Sequence, residues 1–286
     1  MSKQVEAKTA PGVEPSGLES WRERREGLRT WLEQQPPAGI GPDELAVHWS
    51  AMPAHYWEQV NESDLVWGLE TIHGFLGLLA TPNVAATTPF VNWRPQTELG
   101  RTRVMLCTWD RHGLLAKAAA AFSAVRLNIL RADVFTRADN VVLDLFSVAN
   151  GDKGGEASTD RLQEMAFLLE GALSEPPRFA SVWACSRHKF LAPPSRFPPR
   201  IVCDNQSSPT GTLVHVEAAD RLGLLYDILQ AIADSGFDIT QAAIETEDDL
   251  AHDVIHVRGA DGKKVSEVRR LETLRRHLET ALTVLQ

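Results

Sequence analysis

The chain has 286 residues, of which 43% are hydrophobic and 23% charged, with a formal net charge of −9. That length suits about two domains and a sizeable core. The acidic balance excludes a general binder of nucleic acid or anionic membranes, which needs a basic surface.

Residues 1–17 are polar, lack the apolar core of a signal peptide and read as a flexible tail. Leu18–Gln35 carries Trp21, Leu28, Trp31 and Leu32 at helical spacing and stops at Pro36-Pro37. A second helical stretch follows Asp43 and breaks near Pro53. A third starts at Asn61, an N-cap with Asp64 three residues on, and runs through Leu65, Leu69, Ile72, Leu76 and Leu79. Residues 18–80 are therefore expected to form a small helical unit, and residues 81–88, with their Pro, Asn and Thr, a linker. Trp31, Trp49, Trp57 and Trp67 are too many large rings to leave in water, so the unit is expected to dock. The longest apolar run, around Phe75–Ala80, is too short to cross a bilayer.

Beyond the linker the chain repeats itself. "DRHGLL" at Asp110–Leu115 returns as "DRLGLL" at Asp220–Leu225, and Asn128-Ile129 returns as Asp238-Ile239 at the same offset. Pro89 likewise falls on Pro199. After the second strand the register slips by one, so that Asp144 in "LDLFSV" meets Asp253 in "HDVIHV". A residue lost from a hairpin loop accounts for the slip. In each repeat a strand (Val104–Trp109; Leu213–Ala218) leads into a helix (His112–Val125; Leu222–Ser235). Two hairpin-linked strands follow, near Asn128–Thr136 and Val141–Ala149, then Asp238–Thr246 and Ala251–Arg258, and a helix closes each unit, near Thr159–Leu173 and Ser266–Leu282. This βαββα order predicts an α+β fold, two ferredoxin-like units with helices on one sheet face. Phe179–Cys185 is a candidate extra strand of the first unit, and Arg200–Asp204 a lead strand for the second. The duplicated apolar helices predict that the two units share an interface. Cys107, Cys185 and Cys203 are widely separated and read as buried thiols of a cytoplasmic protein, not as disulfide partners or zinc ligands.

The stretches "TWDRHGLLAKAAAAFSAVRLNILRADVFT", "VCDNQSSPTGTLVHVEAADRLGLLYDILQAIADSGFDITQAAIETE" and "KKVSEVRRLETLRRHLETAL" resemble a tandem pair of ACT domains. More narrowly, they resemble the C-terminal pair of the bacterial PII uridylyltransferase/uridylyl-removing enzymes, and the likeness extends upstream through "HWSAMPAHYW" and "ESDLVWGLETI". Residues 89–198 and 199–286 are the two expected ACT-like domains. That family's catalytic halves need a Gly-Ser motif with paired aspartates and a metal-holding His-Asp set, and neither cluster occurs here. His252-Asp253 sits on strand positions and reads as structural. The resemblance therefore implies a non-catalytic, cytoplasmic regulatory protein without a cofactor. Its implied partners are an amino-acid ligand, glutamine being the family's preference, a second copy of the chain and an unidentified regulated protein. No nucleic acid or membrane is implied. A module that only dimerises and docks a partner is the alternative.

In that family the ligand lies between two modules, where the loop after one first strand faces the start of its partner's second strand. Carried over, one loop is Asp110, Arg111, His112, Gly113 and Leu114, facing Asp238; the other is Asp220, Arg221, Leu222, Gly223 and Leu224, facing Asn128. An Asp can hold an α-ammonium while amides at a helix N-terminus take an α-carboxylate. Simple capping by Asp110 is the competing reading of the same residues, and the loop is expected both to cap its helix and to leave room for an amino acid. His112 stands where the family commonly has Pro, and either donates to a ligand or faces solvent. The Asp220–Asn128 site is expected to be the stronger, since Asp110 and Asp238 bring two carboxylates together. Asp144 and Asp253 read as structural ties between a helix start and the sheet.

Overall fold

The computed structural model describes residues 17–174, 198–247, 249–259 and 261–283. Helix α1 (Gly17–Gln34) ends at the paired prolines, and Pro42 opens α2 (Pro42–Ala51). Pro53 separates α2 from the short α3 (Ala54–Gln59). The side chain of Asn61 accepts the Asp64 amide at 2.9 Å and so starts α4 (Glu62–Leu79).

Strands β1 (Phe90–Gln96), β2 (Arg101–Trp109), β3 (Leu127–Asp133) and β4 (Val141–Asn150) belong to the first repeat, with helices α5 (Leu114–Ala124) and α6 (Thr159–Leu173). The second repeat has β5 (Arg200–Asp204), β6 (Thr212–Ala219), β7 (Phe237–Glu247) and β8 (Leu250–Gly259), with α7 (Leu224–Asp234) and α8 (Val268–Thr283). All eight strands form one antiparallel sheet in the order β1-β2-β4-β3-β7-β8-β6-β5. The repeats therefore meet at the centre, where Arg131, Ala132 and Asp133 of β3 pair with Glu245, Ile244 and Ala243 of β7. Helix α5 also packs on α7, so the expected shared interface uses both sheet and helices.

Two details depart from the sequence reading. The edge strand β1, which the pattern does not announce, is the counterpart of the lead strand β5. Pro95 is tolerated there because an edge strand leaves some backbone donors unused. Helices α5 and α7 begin two residues later than expected, because Gly113 and Gly223 occupy left-handed conformations (φ +69° and +81°) that a helix cannot contain. The candidate strand Phe179–Cys185, with Cys185, and most of the expected tail lie outside the described residues. Cys107 is buried and Cys203 partly so, both as free thiols.

Helices α5–α8 cover one face of the sheet, burying Phe122, Phe146, Ile228 and Ile232 between them. The other face is treated unequally. On the first repeat α1–α4 cover it, packing Trp49, Trp57, Trp67 and Phe75 against Met105, Cys107, Val141 and Leu143. The second repeat places His215, Glu217, Leu250 and His252 at the corresponding positions. His and Glu can stay in water, so that half needs no cover. The expected docking of the helical unit is thus found, onto one repeat only.

Candidate functional site

Each repeat's loop runs from the end of its first strand into its first helix. The Asp110 amide donates to the Asn140 carbonyl and the Asp220 amide to the Asp249 carbonyl, both at 2.8 Å, so each loop is pinned to the neighbouring hairpin turn. Neither Asp caps its helix. The N-cap positions are Gly113 and Gly223, with no side-chain bond to the helix. The first donor into α5 is the Lys117 amide, to the Gly113 carbonyl at 3.0 Å. The Leu114 amide is taken by the Arg111 carbonyl at 3.1 Å, which leaves the Leu115 and Ala116 amides for other acceptors. Since β3 and β7 pair at the centre, each loop faces the start of the other repeat's second strand.

The two sites differ sharply. Asn128 donates its amide to Asp220 across the repeats at 2.7 Å, and the space beside them, next to Gly223 and Leu224, is only about 10 Å³. At the other loop a cavity of about 210 Å³ lies between the repeats. Asp110, His112, Gly113 and Leu114 line one side, and Phe237, Asp238 and Thr240 the other. The room is thus at the Asp110 loop, not at the Asp220 loop that the sequence ranks first. The reason is physical. Asn128 and Asp220 satisfy each other and close the gap, whereas Asp110 and Asp238 cannot, and Asp238 is met by His112 instead. Asn128→Ala is expected to cost about 1–2 kcal/mol in urea unfolding, because Asp220 loses its donor across the interface.

The His112 side chain is largely exposed, and its Nδ1 contacts the Asp238 carboxylate across the repeats. The two arginines are held elsewhere. Arg111 lines the cavity, but its guanidinium donates to the Leu173 carbonyl at 3.0 Å and the Trp109 carbonyl at 3.3 Å, tying the end of α6 to the loop. Arg221 pairs with Asp227 at 2.5 Å, and neither it nor Leu222 lines the smaller pocket.

Asp144 and Asp253 are the residues whose place the sequence misjudged. Both are buried on the helix-covered face, and they line the larger and the smaller pocket respectively. Asp144 accepts the Phe135 amide at 3.3 Å, a tie within the sheet and not to a helix start. Asp253 is 2% exposed and neither carboxyl oxygen has a hydrogen-bond partner. Burial raises both carboxyls, Asp144 well above the ordinary range and Asp253 to about 8, and the loop aspartates Asp110 and Asp220 add repulsion. Burial also raises Asp110, with the facing Asp238 contributing, and Asp220, against the opposing bond from Asn128. An acidic residue amid inward-facing Val142 and Phe146, or Ala251 and Ile255, was the available signal. His252 points to the face opposite Asp253, so the dipeptide does not converge on one point. Among the described residues, no group of three or more His, Cys, Asp or Glu side chains is placed to hold a metal ion.

Residues 200–285 match the family model of the ACR9-like, ACT-like domain. The second repeat is an ACT-like domain. The first repeat shares its strand and helix order and its loop motif. The chain is also similar to bifunctional uridylyltransferase/uridylyl-removing enzymes. It is 32% identical to that of Azospirillum brasilense over 67% of this chain and 21% of the enzyme, and 30% identical to that of Phenylobacterium zucineum (strain HLK1) over 84% and 25%. The chain thus spans about a fifth to a quarter of the length of these relatives. Among solved structures, aspartate kinase from Synechocystis shares 12% identity and a TM-score of 0.34 over 64% of this chain and 28% of the kinase, too remote to bear on function. No described helix is long and apolar enough to cross a membrane.

Proposed function

We propose that this chain is a non-catalytic regulatory protein that senses an amino acid at the interface of its two ACT-like repeats. The observation that carries this reading is the cavity of about 210 Å³ at the Asp110 loop, bounded by both repeats. Its chemistry suits a zwitterion. The Asp110 and Asp238 carboxylates face each other and are relieved when an ammonium lies between them. The first-turn amides of α5 suit an α-carboxylate. Thr136 offers a hydroxyl, and Val134, Val142 and Phe237 offer an apolar wall for a side chain. A ligand spanning loop and facing strand favours one arrangement of the repeats over others, and that preference is what a regulated protein would read.

Likeness to the uridylyltransferase/uridylyl-removing enzymes supports a regulatory, ligand-sensing role. We extend the proposal to glutamine as the first ligand to test, and to a cytoplasmic homodimer acting on an unidentified protein linked to nitrogen metabolism. A thermal-shift screen of the common amino acids on the full chain tests the reading. At least one amino acid is expected to raise the midpoint in a concentration-dependent way. No shift with any of them would favour the alternative, a module that only dimerises and docks a partner.

A further inference from the structure

A second cavity, of about 300 Å³, lies on the opposite face of the sheet, between the helical unit and the first repeat. That volume is at the lower end of the range typical of small-molecule sites, ~300–1,000 Å³. Tyr56 and Asn61 line it from the helices, and Phe135, Leu143, Leu145 and Ser147 from the sheet. Gly68 of α4 brings the helix close, since a Cβ there would lie 3.0 Å from Leu143 and 3.5 Å from the Tyr56 hydroxyl.

Tyr56 and Ser147 line it as buried residues, only 2% and 8% exposed, with their hydroxyls closed off from its open space.

An excess cation marks this cavity as a built site. Of three lining arginines, Arg103 is paired with Asp64 through both terminal nitrogens, and Arg131 holds Asp133 at 2.9 Å and Glu245 at 2.7 Å. Arg101 makes no hydrogen bond or ion pair among the described residues. Its guanidinium offers planar, bidentate recognition of an anion. Val60, Met105, Phe135, Leu143 and Leu145 supply an apolar interior.

We propose that this cavity is a second ligand site, taking a small monocarboxylate with an apolar body. The carboxylate lies at Arg101, and the body lies against Phe135 and Leu143. The site is separate from the inter-repeat cavity and does not rest on the amino-acid reading.

Calorimetric titration of the full chain with phenylacetate and 4-methylpentanoate tests it, with phenylacetamide and 4-methylpentanamide as neutral controls. The carboxylates are expected to bind and the amides to bind at least about tenfold more weakly, as loss of a charge-assisted pair requires. Arg101→Gln is expected to weaken the carboxylates by a similar factor. Asp238→Ala, at the other cavity, is expected to leave their affinity unchanged. Thermal melts confirm that each variant is folded. Absence of heat from both carboxylates would mean that the cavity holds only water, and would overturn the proposal. Equal binding of acids and amides, or binding indifferent to Arg101→Gln in folded protein, would overturn it too.

Discussion

Trp57→Ala is expected to lower the unfolding free energy by about 3–5 kcal/mol, the range for deleting a large aromatic ring from a packed core. Trp57 is 1% exposed. Its ring centroid lies 4.8 Å from that of Trp49 and 4.9 Å from that of Tyr56, and the Arg25 guanidinium sits 5.6 Å over it. Arg25 in turn donates to the Trp49 carbonyl at 2.7 Å, so α1 and α2 are linked around the same ring. This cluster continues without a break into Met105, Cys107 and Leu143 of the sheet. Urea unfolding followed by tryptophan fluorescence and by far-UV circular dichroism should therefore show one coincident transition, displaced to lower urea in the variant. A loss below about 1 kcal/mol would show that the ring does not help hold the helical unit to the sheet.

Stability should also fall as pH rises from 6.5 to 8, because of the acids in the two pockets. Asp253 is raised from 3.8 to about 8 in the folded protein, so the folded state binds more protons than the unfolded state between those values. Unfolding free energy then decreases with pH, by at most about 1.4 kcal/mol per unit for one such group. Asp144 is shifted in the same direction and adds to the slope. The buried His48 works oppositely. Its folded value is lowered to about 3, so its contribution is present above 6.5 and is lost as pH falls toward 3. Measurement above pH 6.5 separates the acids from His48. In Asp253→Asn the decline between 6.5 and 8 should be shallower, and in the double variant with Asp144→Asn it should nearly vanish. An unchanged slope in the double variant would mean that both carboxyls are ionised in the fold.

The repeat and the helical unit were legible because both rest on local chemistry. Prolines, an Asn cap and helical spacing mark α1–α4, and a six-residue motif returning with two further matched positions marks the ACT-like pair. Helix starts were misplaced by two residues, because Gly113 and Gly223 look like tolerated helix residues until their positive φ is seen. Long-range pairing was not legible in detail. The β3–β7 seam depends on strand edges some 110 residues apart, and no local pattern names their register.

The two candidate loops were legible as residues, but not which of them leaves room between the repeats. Asp220 and Asn128 look complementary to a ligand in sequence, yet they are complementary first to each other. Asp110 and Asp238 look mismatched, and the mismatch leaves a cavity. Inward-pointing Asp144 and Asp253 break an apolar alternation, a signal that marks burial but not what the carboxyl faces. Tyr56 and Ser147 carry no local signal at all, since their shared cavity exists only where two distant segments meet.

The central claim is that an amino acid binds between the repeats at the Asp110 loop. Calorimetric titration of the full chain, Asp238→Ala and Asn128→Ala tests it most directly, using glutamine and any amino acid that shifts the melting midpoint. Asp238→Ala should weaken binding by roughly tenfold or more, as loss of a charged hydrogen-bond partner does, while Asn128→Ala should leave affinity within about twofold. Abolition of binding by Asn128→Ala with Asp238→Ala unaffected would place the ligand at the Asp220 loop and contradict this assignment.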